Sequence, residues 1–196
     1  MKKVIFILGV IGLLLVGKVY AADMYAIDPA NSTIGFAVKH LMVSTTNGSF
    51  SDYQGGITYD DKDLSAFKAD MTIQAKSIDT KVEQRDNHLR SAEFLDTAKF
   101  PTITFTSKSL LPPRSGVPGG TLIGDLTIKG VTKEVSIPVA ISGPVKAPFG
   151  MAIGLSGQLT INRQDYGVSF NKALDNGGLM VGNDVVINID IEAHKK

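Results

Sequence analysis

The chain has 196 residues, 43% hydrophobic and 20% charged, with no cysteine and no tryptophan. That is enough to bury a real core, and it excludes a disulfide, a thiol nucleophile and a lipid-modified cysteine anchor. Its 20 basic and 19 acidic residues give a formal net charge of +1, which offers no electrostatic footprint for nucleic acid.

Met1 to Ala21 stands apart from the rest. Lys2 and Lys3 form a basic head, Val4 to Val16 an unbroken apolar and glycine run, and Val19-Tyr20-Ala21 a small-residue cleavage signature. This pattern predicts a secretory signal peptide cut after Ala21, and hence a periplasmic protein. The apolar run of 13 residues is too short to span a bilayer comfortably. Lys18 is unusual so close to a cut, and a retained anchor is the alternative. Cleavage removes three lysines and no acid, leaving 17 basic against 19 acidic residues in one domain over 22–196, with no stable membrane insertion.

The remainder alternates apolar and polar residues with period two, the signature of strands with one buried face. Tyr25 to Met42 reads as a long first strand after turn chemistry at Asp28-Pro29-Ala30-Asn31, and Thr46 to Ser49 reads as a turn. Phe50 to Asp60 is a second strand interrupted by Gly55-Gly56, and Phe67 to Lys76 a third. The period then changes: Val82 to Ala92 predicts one short polar helix, with Asp79-Thr80 as its cap. Thr102 to Leu110 resumes alternation, and Pro112 to Gly120 is a loop within the same domain. Leu122 to Ile128 turns through Lys129-Gly130 into Val131 to Ile141. There Val135, Ile137, Val139 and Ile141 face one way, Lys133 reaches solvent, and Pro138 predicts a bulge or an unpaired neighbour. Pro144 to Pro148 reads as a turn, Ile153 to Ile161 as a seventh strand, Asn162 to Gly182 as irregular, and Val185 to Ile191 as the eighth.

Eight long one-sided antiparallel strands with no βαβ rhythm make an all-β chain, and closure into an extended barrel removes both edges. Such a barrel either fills itself or holds one small ligand. A dry cavity of about 500 Å³ would cost on the order of 12 kcal/mol, so the interior is packed, wet or occupied. Gly124 and Gly157 on the apolar faces lean toward occupancy.

Five segments carry a family resemblance: DPANSTIGFAVKHLM (Asp28 to Met42), SIDTKVEQRDNHLRSAEFLD (Ser77 to Asp96), FPTITFTS (Phe100 to Ser107), GDLTIKGVTKEV (Gly124 to Val135) and INRQDYGVS (Ile161 to Ser169). In order and extent they resemble the YceI family of bacterial proteins. The resemblance implies a lipocalin-like eight-stranded antiparallel barrel whose apolar pore binds isoprenoid or other long-chain lipid. Leu95 departs from the family, which commonly has a second phenylalanine after Phe94, and the Pro112 to Gly120 loop is particular to this chain.

Phe36, Met71, Phe105, Leu126, Ile137 and Leu155 are the candidate pore residues, although a packed core would use the same ones. His40, on an apolar strand face, is either a satisfied core histidine or the contact for a polar ligand end. On the helix, Asp86 and Arg90 have ion-pair spacing on a solvated face; if the helix covers the barrel mouth, Arg85, His88 and Arg90 face a headgroup, with Leu89 and Phe94 as lid contacts. Arg163, Asp165 and Tyr166 suggest a set of hydrogen bonds pinning a loop.

No catalysis, metal or cofactor is expected. The three histidines have no HExxH spacing, and Gly154-Leu155-Ser156-Gly157-Gln158 misses the serine hydrolase elbow at Gln158. Two other classes compete with lipid carriage: a stress-protective or interaction scaffold with a packed core, and an outer-membrane barrel. The second demands aromatic girdles, and this chain is 7% aromatic. Oligomeric state, a homodimer included, is left open.

Overall fold

The computed structural model describes residues 22–113, 119–148, 150–172 and 178–196. The proposed signal peptide and the middle of the Pro112 to Gly120 loop therefore lie outside the described residues. Eleven β segments share one antiparallel sheet: β1 (Asp23–Ile27), β2 (Thr33–His40), β3 (Ser44–Phe50), β4 (Tyr53–Tyr59), β5 (Lys68–Gln74), β6 (Ile78–Asp79), β7 (Thr102–Leu111), β8 (Gly119–Ile128), β9 (Val131–Ala147), β10 (Gly150–Asn162) and β11 (Val181–Lys195). The helix is α1 (Glu83–Arg90).

Six of the segments are halves of three strands. β1 and β2 lie end to end along β11, β4 and β3 along them, and β5 and β6 along β4 and β3. The result among the described residues is a ring of eight strands in chain order, closed where β11 meets β1 and β2. This is the closed eight-stranded antiparallel barrel with one short helix that the alternation predicts, and the lipocalin-like architecture that the resemblance implies. Side chains follow the pleat: on β9, Ile137, Val139 and Ile141 are buried while Ser136, Pro138 and Ala140 are exposed. Apolar rows face inward and polar rows face water, the reverse of a membrane-spanning barrel.

The differences from expectation are local. The first strand breaks at a 3₁₀ turn, Pro29–Asn31, because Asp28 accepts from the Ala30 N–H and draws the chain out of the ladder. Thr46 to Ser49 is not a turn but part of β3. The reversal falls instead at Leu41 and Met42, both with positive φ (52° and 62°), where no turn residue announces it. Pro144 to Pro148 is likewise mostly strand: β9 continues to Ala147, and its register with β10 shifts beside Ser142. Pro138 needs no bulge, since bridging to β10 stops at Val139, its neighbour.

The two ends of the barrel differ. One end, the helix end, carries the β2–β3 turn, α1, the β8–β9 hairpin and the 3₁₀ turn Arg163–Tyr166 that follows β10. At the other end Tyr25, Tyr59, Phe67, Leu110, Ile141 and Ile153 are all buried, with the Tyr59 and Phe67 rings packed edge-on at 6.4 Å. They plug it.

Candidate functional site

Between that plug and the helix end the inward rows do not meet. They leave a cavity in which the centre of a water-sized sphere has about 220 Å³ to move. The wall exposed to it is wholly apolar. At about 24 cal/mol per Å³ an empty cavity of this size costs on the order of 5 kcal/mol, a large share of the roughly 5–15 kcal/mol that holds a domain together. Phe36, Met71, Phe105, Ile187 and Ile189 face inward yet are only partly buried, because their exposed surface opens on the lumen.

Phe36, Met71, Phe105, Leu126, Ile137 and Leu155, one each from β2, β5, β7, β8, β9 and β10, all line the cavity. Leu89 of α1 and Phe94 join them from above the helix end, as does Leu95. His40, Arg85 and His88 do not line it. His40 is the last residue of β2, one step beyond Val38, where the wall ends. Arg85 donates from Nε to Thr80 Oγ1 at 2.8 Å and from Nη2 to the Thr80 carbonyl at 2.9 Å, so its fork holds the chain entering the helix. His88 sits behind the lid: its ring meets Phe94 at 4.9 Å and Phe170 at 5.0 Å, both edge-on, and its Nε2 contacts Glu93.

The helix is pinned along one side, while Glu83, Gln84, Asn87 and His88 stay exposed. Asp86 is buried and accepts from the Thr80 N–H at 2.9 Å and from the Thr80 hydroxyl, while Arg90 donates to the carbonyls of Lys76 and Ile78, each at 2.8 Å. The spacing of Asp86 and Arg90 suggested a pair with each other; each instead satisfies backbone groups of the 76–80 segment. Asp79 does not cap α1, whose N-cap is Val82 with no side-chain bond; Asp79 binds Lys81. Gly124 and Gly157 do not leave room for a ligand either. A Cβ on Gly124 would lie 2.6 Å from the Phe105 ring, and one on Gly157 would lie 3.0 Å from the Pro138 carbonyl oxygen, so neighbours already fill both sites.

Of the Arg163, Asp165 and Tyr166 set, Arg163 is the pin, while Asp165 faces Lys133 at 3.5 Å. The guanidinium, 5% exposed, donates from Nη1 to the Val168 carbonyl at 2.6 Å, from Nε to Gly182 at 2.8 Å and from Nη2 to Val181 at 3.2 Å, fastening the 3₁₀ turn Arg163–Tyr166 to the start of β11. Burial pushes its pKa down from the ordinary guanidinium value, and burial followed by the Asp165 charge pushes the Tyr166 phenol up. Both residues touch the lumen with carbon. Sequence reasoning missed wall residues such as Ile34, Ile103, Ile189 and Ile191, which the same alternation marks, and Val168, from an irregular segment where no period exists.

Among the described residues one group has metal-ligand composition: Asp28, Glu192 and His194, at the β1–β2 break. His194 Nε2 lies 2.9 Å from Glu192 and 3.5 Å from Asp28. A metal on Nε2 would leave the proton on Nδ1, which is buried with no partner, whereas metal-bound histidines give that proton to an acceptor. Asp28 is already engaged by Ala30 and Asn31. The group fits a hydrogen-bonded clamp better than a metal site.

The YceI-like domain model matches residues 25–193. A UPF0312 protein of Staphylococcus aureus (strain MSSA476) is 42% identical over 170 residues, covering 86% of this chain and 95% of its own. The solved YCEI protein of Campylobacter jejuni is 33% identical with a TM-score of 0.69, covering 81% of this chain and 90% of that one. A polyisoprenoid binding domain from Saccharophagus degradans shares the fold at a TM-score of 0.64 and 17% identity, over 90% of this chain and all of that one.

Proposed function

The chain belongs to the YceI-like domain family, and on that premise we propose that it binds or carries an isoprenoid or other long-chain amphiphilic lipid in the barrel lumen. One observation carries the reading: a wholly apolar cavity of about 220 Å³ that costs stability unless something occupies it. A guest burying ten CH₂-sized groups gains roughly 8 kcal/mol gross, before association costs of several kcal/mol. Because the wall offers no polar atom, the headgroup stays outside, and the plugged end sends it to the helix end. The preference for isoprenoid over fatty acid is supported by the family and by the polyisoprenoid binding of the Saccharophagus degradans domain.

The role is binding, not catalysis, and the setting is the periplasm, reached through the Met1 to Ala21 signal. Organic extraction of the purified protein, with mass identification of what it releases, tests this: the expected product is a long-chain hydrocarbon lipid in near-stoichiometric amount. Leu155→Glu sets a carboxylate in the wall and should abolish retention. Circular dichroism must show the variant folded, and retention by a folded variant contradicts the proposal.

A further inference from the structure

We infer that the β2–β3 turn at the helix end is a membrane-docking element that seats the barrel mouth on a lipid bilayer carrying anionic headgroups. This rests on the lipid-binding reading and adds the surface from which cargo is exchanged. Leu41, Met42 and Val43 are 38%, 68% and 84% exposed, a run of three apolar side chains in water. The turn is closed by the Val43 N–H on the His40 carbonyl at 3.1 Å, with positive φ at both Leu41 and Met42. That is the geometry of a type I′ turn, which favours Asn-Gly and strains branched or bulky residues. Leucine and methionine there disfavour both solubility and turn stability, so their chemistry serves something outside the chain.

Position names the partner. The Leu41 N–H donates to the Met180 carbonyl at 2.8 Å, and the flanking residues Val38 and Val181 line the cavity, so the apolar tip is continuous with the lumen rim. Lys39 and Lys172, the latter tied to Met180 through its carbonyl, add two exposed cations beside it. Apolar side chains flanked by lysines enter the interfacial zone of a bilayer and are drawn to anionic lipid. A guest leaving such a bilayer then enters the lumen without crossing water.

Flotation of the protein, purified from aqueous cell extract, with vesicles of phosphatidylethanolamine and phosphatidylglycerol tests this, with phosphatidylcholine vesicles for comparison. The wild type should float, more strongly with the anionic vesicles, and Met42→Asp with Val43→Asp should weaken binding at least about tenfold. A second variant, Leu41→Asn with Met42→Gly, should raise the melting temperature while losing flotation, which a merely structural turn would not do. Unchanged flotation in both variants overturns the inference. So does a wild type that dimerises through this turn without vesicles, because its occupant is then a second copy. A wild type that floats but releases no lipid on extraction leaves docking intact and defeats the lipid-binding reading instead.

Discussion

Arg163 is a charge buried without a carboxylate, compensated by backbone carbonyls of Val168, Val181 and Gly182. Its fork geometry is what lysine lacks. Arg163→Met should lower the unfolding free energy by about 2–4 kcal/mol, since three carbonyls lose their donor in a partly buried site, and Arg163→Lys should recover little of it; urea midpoints measure both. Acid acts elsewhere. The Asn31 amide, and then the Ala30 N–H, hold the Asp28 carboxyl below its ordinary value, and Lys81 does the same for Asp79. A carboxylate depressed in the folded state contributes stability above the unfolded value of about 3.9, and this is lost as pH falls through the lower folded value. Melting temperature should therefore drop below about pH 4, and Asn31→Ala should make that acid drop shallower. A drop equally steep in Asn31→Ala would remove Asp28 from the account.

At the scale of elements, two strand glycines make room for rings that line the cavity. Phe105 lies over Gly124 and Phe36 over Gly48, so each glycine supplies the space its neighbour's ring occupies. Gly124→Val should destabilise by about 1–3 kcal/mol through overpacking and push Phe105 into the lumen, reducing cargo per mole of protein; retained cargo in that variant would contradict the placement. Alternation made the eight strands and most of the cavity wall legible, because Phe36, Met71, Phe105, Leu126, Ile137 and Leu155 keep strict period two in strands with one wet face. Where period fails, the reading failed with it. The turn at Leu41 and Met42 carries residues that ordinarily avoid positive φ, so the sequence puts the reversal several residues late, at Thr46 to Ser49. On α1, i,i+4 spacing suggests a surface pair, but Asp86 and Arg90 find backbone partners 6 and 14 residues away, which no local pattern marks.

Taken as a whole, the barrel is asymmetric: plugged at one end by Tyr25, Tyr59 and Phe67, hollow toward the other, and covered there by Leu89, Phe94 and Leu95. Closure through β11 gives every strand a partner and frees the interior from having to supply all the stability itself. A void of about 220 Å³ persists in such a fold when a guest offsets it. The most direct measurement is native mass spectrometry of protein purified without detergent, run beside an Ile189→Trp variant whose larger side chain fills the lumen. The wild type should carry a discrete adduct of long-chain lipid mass, and the variant should fly bare while melting no lower. A wild type of bare polypeptide mass, matching the variant, would contradict the account.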